Sequence, residues 1–252
     1  MKDILAHANR QVLAQVASSH VLLAFDYDGT LAPIVSDPDQ AHMRERTREL
    51  LERVANAYPC IVISGRSQED VQRRVSEAGV FEVIGNHGLE PRCPRDTDAA
   101  QVRAWIPSLG RRLSRVPGVV IEDKVFSVAV HYRRSRARGN ARSAILRAAS
   151  VLDGVRVIGG KSVINLVPRE GPHKGTALET AREKLGCDVA LYVGDDETDE
   201  DVFALDDPAR LLTVRVRPKR TSRAAFYVQN QKSVDVLLAT LLQLREEHWR
   251  NH

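Results

Sequence analysis

Aromatic residues are scarce: five Phe, five Tyr and two Trp make up 5% of 252 residues. A surface that stacks bases needs several rings in one place, and no stretch provides them. Cysteine is rarer still. Cys60, Cys93 and Cys187 are odd in number and at no metal or redox spacing. That argues against a disulfide framework and for a reducing, cytoplasmic setting. No apolar run approaches the roughly 18 residues of a membrane span. Residues 1–7 lack the apolar stretch of a secretory signal. Internal repeats are missing too.

What is present suits a globular chain. The sequence is 43% hydrophobic and 28% charged, ample for a real core and neither disordered nor of low complexity. Its length allows one large domain or two modest ones. The net charge is +4, and part of the excess is a run of arginines, Arg133-Arg134-Ser135-Arg136-Ala137-Arg138. Without aromatic neighbours this run reads as a solvated loop and helix start rather than a nucleic-acid site. A mildly positive field still favours a small anionic ligand.

The chain is organised around Phe25-Asp26-Tyr27-Asp28-Gly29-Thr30-Leu31. It follows an apolar run, Val21-Leu22-Leu23-Ala24, that reads as a buried strand. Alternation places the side chains of Asp26 and Asp28 on one side of the backbone. Two carboxylates that close repel, unless a cation sits between them or one takes a proton. Mg²⁺, a hard ion that prefers oxygen ligands, does the first. Either way Asp26 is a candidate nucleophile and Asp28 a candidate general acid and base. A D-x-D alone is more often a turn or cap.

Three further stretches change that balance. Val62-Ile63-Ser64-Gly65-Arg66 ends a second strand in a hydroxyl. His173-Lys174-Gly175 brings a cation to the start of a helix. Leu191-Tyr192-Val193-Gly194-Asp195-Asp196-Glu197-Thr198-Asp199 ends a further strand in acids. Taken in order, these four motifs resemble those of the haloacid-dehalogenase-type phosphatase superfamily. The wider wording, D-Y-D-G-T-L-A-P-I with G-N-H-G-L-E and G-D-D-E-T-D-E-D, resembles its trehalose-6-phosphate phosphatase family from about position 21 to 238.

Strands and helices alternate through positions 21–84, which argues for a parallel α/β sheet with ligands at the carboxyl ends of its strands. Positions 3–18 read as an amphipathic helix, 44–57 and 68–78 as further helices, and 60–63 and 81–84 as strands. After Glu90 the pattern changes. A linker at 91–96, a helix at 99–115 that Pro107 shortens or kinks, and strands 119–122 and 125–132 around a tight Asp123-Lys124 hairpin come first. A helix at 141–152 and strands 155–158 and 162–167 about Gly159-Gly160-Lys161 follow. Beyond it, 174–185 is helical, 189–193 a strand, 199–205 a helix, 211–216 an edge strand, 225–228 a minor strand and 234–244 the closing helix. The expected architecture is a Rossmann-like parallel-sheet core, 1–91 with 169–252, and an inserted α+β unit, 92–168. In the family resembled, that insert is a cap that excludes water and contacts the sugar.

The resemblance also implies roles. Asp26 attacks phosphorus. Asp28 protonates the leaving sugar oxygen and then activates water. Mg²⁺ is held by Asp26, by the Asp28 carbonyl and by Asp195. Asp199 either binds the ion or supports its ligands, and Asp196 is a candidate for the same part. Ser64 and Lys174 hold phosphoryl oxygens. Singly, each has a plainer reading: Asp199 as a helix cap, Lys174 as a surface lysine, Ser64 and Gly65 as turn residues.

For the sugar, the family carries an E-x-K that Ile121-Glu122-Asp123-Lys124 matches, with His131 on the next strand. Gly65, Arg66, Asn86 and His87, at core loop tips, are further substrate-binding candidates. One position departs: the family's Glu before the third motif is Asn165 here. The implied substrate is trehalose 6-phosphate. Asn165 keeps other sugar phosphates open, such as a glucosyl- or mannosyl-glycerate phosphate or a hexose phosphate. A non-catalytic sugar-phosphate binder is the distant alternative. The expected partner is that small molecule alone, without nucleic acid or membrane, for a monomer coupled at most functionally to a separate synthase.

Overall fold

A computed structural model describes residues 1–91, 96–160, 162–205 and 207–250, with 96–98 in backbone only. In chain order the elements are β1 Lys2–Asp3, α1 Arg10–Ser18, β2 Val21–Phe25, α2 Glu45–Ala57, β3 Cys60–Ile63, α3 Gln68–Val75 and β4 Glu82–Ile84. Next come α4 Asp96–Leu113, β5 Val120–Asp123, β6 Val128–His131, α5 Arg138–Ala149, β7 Val155–Gly160 and β8 Val163–Pro168. The chain finishes with α6 Lys174–Lys184, β9 Val189–Gly194, α7 Glu200–Phe203, β10 Leu211–Val216, β11 Phe226–Val228 and α8 Lys232–Arg250. The structure divides into two compact units, residues 1–88 with 173–252, and residues 89–172.

The first unit is built on a seven-stranded, all-parallel sheet in the order β1-β11-β10-β9-β2-β3-β4. Continuous apolar strands such as Val21–Phe25 are what a sheet covered on both faces requires. Leu23, Phe25, Val62 and Val193 pack with the helices of one face, and Leu22, Ala24, Ile61 and Tyr192 with those of the other. The order reverses direction at β2. From there β3 and β4 run one way, and β9, β10 and β11 the other. Such a switch point leaves a crevice beyond the strand ends.

In the second unit, β5-β6-β8-β7 form an antiparallel sheet. Val128, Val130, Ile164 and Leu166 face α4 and α5. The register pairs Glu122 with Ala129, Ala129 with Asn165, and His131 with Val163. Strand alternation therefore sets Glu122, His131 and Asn165 together on the opposite face.

Four expectations need correction. Positions 3–18 are not one helix. Lys2 and Asp3 pair with Phe226 and Tyr227 as a strand, Asp3 accepts from the Leu5 N–H and the Asn9 side chain, and the α-helix begins only at Arg10, after a 3-10 turn at His7–Asn9. Leu211–Val216 is not an edge: β11 and β1 extend the sheet beyond it. Asp123-Lys124 is not a two-residue hairpin. Asp123 pairs with Val128, and its carboxylate accepts the Val125 N–H at 2.7 Å inside a longer loop that bends at Val125 with φ 68°. Pro107 does not shorten its helix, which continues to Leu113. Most of the 91–96 linker, and Lys161 in the β7–β8 turn, lie outside the described residues. No helix among the described residues is long and apolar enough to cross a membrane.

Candidate active site

The site lies at the switch point. The ends of β2 and β9 stand side by side because Phe25 pairs with Val193. Asp26 follows directly, and its N–H donates to Val193 O at 2.9 Å. Asp195 follows β9. The two neighbouring parallel strands thus deliver two carboxylates to one spot. Lys174, the first residue of α6, brings its ammonium to 2.7 Å from Asp26 Oδ1 and 2.8 Å from Asp199 Oδ1. It is buried, so the plain reading of a surface lysine does not hold.

Asp199 is the most heavily bonded member. Its Oδ1 accepts from Lys174 Nζ and, at 2.6 Å, from the Tyr192 hydroxyl. Its Oδ2 accepts the backbone N–H groups of Asp195 and Asp196 at 2.7 and 2.9 Å. It does not cap α7 through its side chain. Instead it knits the loop after β9 to Lys174. Gly194 is required here, since a Cβ at that position would fall within the Asp199 carboxylate. Gly29, at φ +90°, makes the same allowance for the carboxylate of Asp195.

Burial sets the electrostatics. Desolvation pushes the Asp26 carboxyl well above its usual range, Lys174 offsets part of that, and Asp199, Asp196 and Asp195 add to it. Burial also raises Asp195, to about 7, with Asp199 and Asp196 adding and Arg217 opposing. For Lys174 burial works against the charge, but Asp199 and Asp26 outweigh it and hold the ammonium above its ordinary value.

These residues fit a divalent cation. Carboxylate oxygens of Asp26, Asp195 and Asp199 lie within 4.8 Å of one another, those of Asp199 already engaged by hydrogen bonds. Asp195 Oδ1 is buried without a hydrogen-bond partner among the described residues. Carboxylate oxygens are the donors that Mg²⁺ prefers.

Asp28 turns a different way. Its oxygens accept from Arg66 Nε and Nη2 at 2.6 and 2.8 Å, a bidentate pair. Arg66 lies just past β3, where Ser64 is buried with its Oγ accepting the Arg66 N–H at 3.2 Å. Asn86 and His87, both at positive φ, pack on that loop: Asn86 N–H donates to Arg66 O, and His87 N–H to Ser64 O at 2.8 Å. The His87 ring lies over Gly65, where a Cβ would strike it. In the second unit, Glu122 meets His131 Nε2 at 2.7 Å. That hydrogen bond, helped by Lys124, holds the Glu122 carboxyl below its usual range against partial burial. Asn165 is buried on the same sheet face.

Sequence reasoning missed Tyr192, Arg215, Arg217 and Asp70, whose Oδ2 accepts from Arg66 Nη1 at 2.8 Å. Arg215 Nη2 donates to the Asp195 carbonyl, and Arg217 pairs with the Asp195 carboxylate. The available signal was Val214-Arg215-Val216, a charge inside an apolar strand, which asks for a buried partner.

A doubly covered parallel sheet, with acids and a buried lysine converging at its switch point, is the architecture of the haloacid-dehalogenase-type fold. The chain belongs to the trehalose-phosphatase family, whose model matches residues 24–233. It is 39% identical over 203 residues to the trehalose-phosphate phosphatase of Mycobacterium avium, covering 75% of this chain and 52% of that one. The chain thus spans about half the length of the curated relatives it matches. Its fold matches the C-terminal domain of Candida albicans trehalose-6-phosphate phosphatase with a TM-score of 0.78 and 23% identity, covering 93% and 97% of the two chains. A phosphatase of the HAD enzyme superfamily from Bacteroides thetaiotaomicron shares the fold with a TM-score of 0.65 and 14% identity, covering 90% and 96%.

Proposed function

We propose that this chain is a Mg²⁺-dependent phosphomonoesterase that hydrolyses trehalose 6-phosphate to trehalose and phosphate through an aspartyl-phosphate on Asp26. The observation that carries the reading is the buried Asp26–Lys174–Asp199 cluster, with an unpartnered Asp195 oxygen beside it. Family membership and the relatives' activity supply the substrate.

An Asp26 oxygen forms a bond to phosphorus as the bond from phosphorus to the sugar oxygen breaks. Asp28 gives its proton to that leaving oxygen. Asp28 then takes a proton from the water that attacks the phosphoryl group, which frees Asp26. Ser64 and Lys174 hold non-bridging phosphoryl oxygens, and Lys174 keeps Asp26 aimed. Asp26, the Asp28 carbonyl and Asp195 would hold the cation, while Asp199, with both oxygens already engaged, orients the loop and the lysine. When bound, Mg²⁺ supplies positive charge against the phosphate dianion. In the second unit, Glu122, Lys124, His131 and Asn165 would take sugar hydroxyls. Carboxylate, ammonium, imidazole and amide groups suit that task.

The test is phosphate release from a panel of sugar phosphates, with Mg²⁺ and with a chelator. A preference of about two orders of magnitude for trehalose 6-phosphate, roughly 2.7 kcal/mol in transition-state binding, supports the reading. Preference for a glycerate or hexose phosphate would assign the difference to Asn165. No metal-dependent release from any member would overturn it.

A further inference from the structure

We propose that Asp70 is a positioning residue for Asp28, acting through the guanidinium of Arg66. The inference rests on the phosphatase reading above, in which Asp28 moves the proton.

Arg66 meets Asp28 side-on, with Nε and Nη2 each on a different carboxylate oxygen. Two parallel N–H···O bonds fix the plane of a carboxylate as well as its place. They do so only if the guanidinium plane is itself fixed, and arginine is among the side chains with most rotamer freedom to lose. Asp70 provides the restraint. Its Oδ2 accepts from Arg66 Nη1 at 2.8 Å, the edge of the guanidinium that Asp28 does not use. Arg66 Nη2 also donates to Pro38 O at 2.9 Å, and the group lies 5.8 Å from the centre of the Tyr27 ring.

Asp70 is well anchored. It sits in the first turn of α3, where its N–H donates to the N-cap Ser67. Its Oδ1 accepts from Arg74 Nε at 3.0 Å, one helical turn on. Arg74 in turn donates to Asp39 O and Ala41 O at 3.3 and 3.0 Å. The Tyr27 hydroxyl, from the loop that carries Asp28, donates to the same Ala41 carbonyl at 2.9 Å. Asp28, Arg66, Asp70 and Arg74 thus form a row of alternating charge that begins at the acid–base and ends on α3. Each member answers the charge of the next, so Arg66 is held in place without being consumed as a counter-ion to Asp28 alone.

The row has a chemical use. Asp28 must aim first at the oxygen leaving phosphorus and then at water. Without Asp70, the Nη1 edge of Arg66 loses its acceptor, the guanidinium is free to turn, and Asp28 turns with it. The loss falls on proton transfer to the leaving group. Binding of the phosphoryl group, which Ser64 and Lys174 carry, is spared.

Dependence on the leaving group tests this. Asp70→Asn and Asp70→Ala are compared with the unaltered protein on p-nitrophenyl phosphate, whose phenolate leaves readily unprotonated, and on trehalose 6-phosphate, whose alkoxide needs the proton. The ratio kcat/KM is used because it reports phosphoryl transfer and not the later hydrolysis. We expect a fall of about tenfold or more on the sugar phosphate, a modest part of what general acid catalysis contributes, against less than about threefold on the aryl ester. Asp70→Glu, which keeps the charge, restores most of the difference. Either charge-removing variant suffices if it melts as a folded protein. Equal losses on both substrates, the mark of a merely structural role, overturn the inference, as does no loss on either. An unaltered protein that hydrolyses neither substrate overturns the phosphatase reading, and the inference with it.

Discussion

Lys174 places its ammonium 2.7 Å from Asp26 Oδ1, and the pair is almost sealed from water, with 1% and 6% of the two side chains exposed. Such a pair gains little over an apolar replacement of both partners, but removing one partner is costly. Lys174→Met would leave Asp26 and Asp199 facing one another without a cation. We expect a loss of about 3–5 kcal/mol in urea unfolding at neutral pH. The deficit should shrink as pH falls and a carboxylate takes a proton. A variant as stable as its parent at neutral pH would contradict this account of the cluster.

We expect Asp195 to make binding of a divalent cation pH-dependent. Burial in the folded protein, with Asp199 and Asp196 adding, pushes its carboxyl up to about 7, against about 4 when unfolded. Between those values the folded state holds a proton that the unfolded state lacks, so this group's contribution to stability falls as pH rises through that window. A cation at the site removes the penalty above it. Mg²⁺ should therefore raise the melting temperature more at pH 8 than at pH 6. Calorimetric titration at pH 6, in buffers of differing ionisation enthalpy, should show proton release. Equal stabilisation at the two pH values, with no release, would refute the assignment.

Gly194 leaves no space for a side chain, because a Cβ would fall within the Asp199 carboxylate. Gly194→Ala must displace Asp199 and with it the hydrogen bonds that order the loop after β9. The expected result is a destabilisation of about 1–3 kcal/mol with at least a tenfold weaker Mg²⁺ affinity by titration. Unchanged affinity would show that Asp199 does not order the metal loop.

Glu122 on the second unit's sheet is expected to read the sugar and not the phosphate. Glu122→Gln should leave p-nitrophenyl phosphate hydrolysis within about twofold while lowering kcat/KM for trehalose 6-phosphate by about tenfold, one charged hydrogen bond's worth. Equal effects on the two substrates would remove Glu122 from recognition.

Much of this was legible in the sequence because it was local. A short apolar run ending in Asp-x-Asp, or in Gly-Asp-Asp, marks a strand and its carboxyl end together. The β2 and β9 tips could therefore be placed from the sequence. What was missed depends on pairing across the sheet. Lys2–Asp3 is too short to show a period, and it becomes a strand only because Phe226–Val228 offers an edge. The pairing of Phe226–Val228 with Val214–Val216 turns Leu211–Val216 from edge to interior. Arg215 and Arg217 lie 20 and 22 residues beyond Asp195. Only the β9–β10 register brings them to it. The tight turn expected at Asp123-Lys124 failed for a local reason: the Asp123 side chain captured the Val125 N–H and opened the loop.

The most direct test of the central claim is a rapid quench of the Mg²⁺-loaded protein during turnover of trehalose 6-phosphate, followed by borohydride reduction and peptide mass analysis. An acyl phosphate is reduced by borohydride to an alcohol, so the account predicts homoserine at position 26, and none in Asp26→Asn, whose turnover should fall by about 10³-fold or more. Phosphate release with no such conversion at position 26, or near-normal turnover by Asp26→Asn, would contradict it.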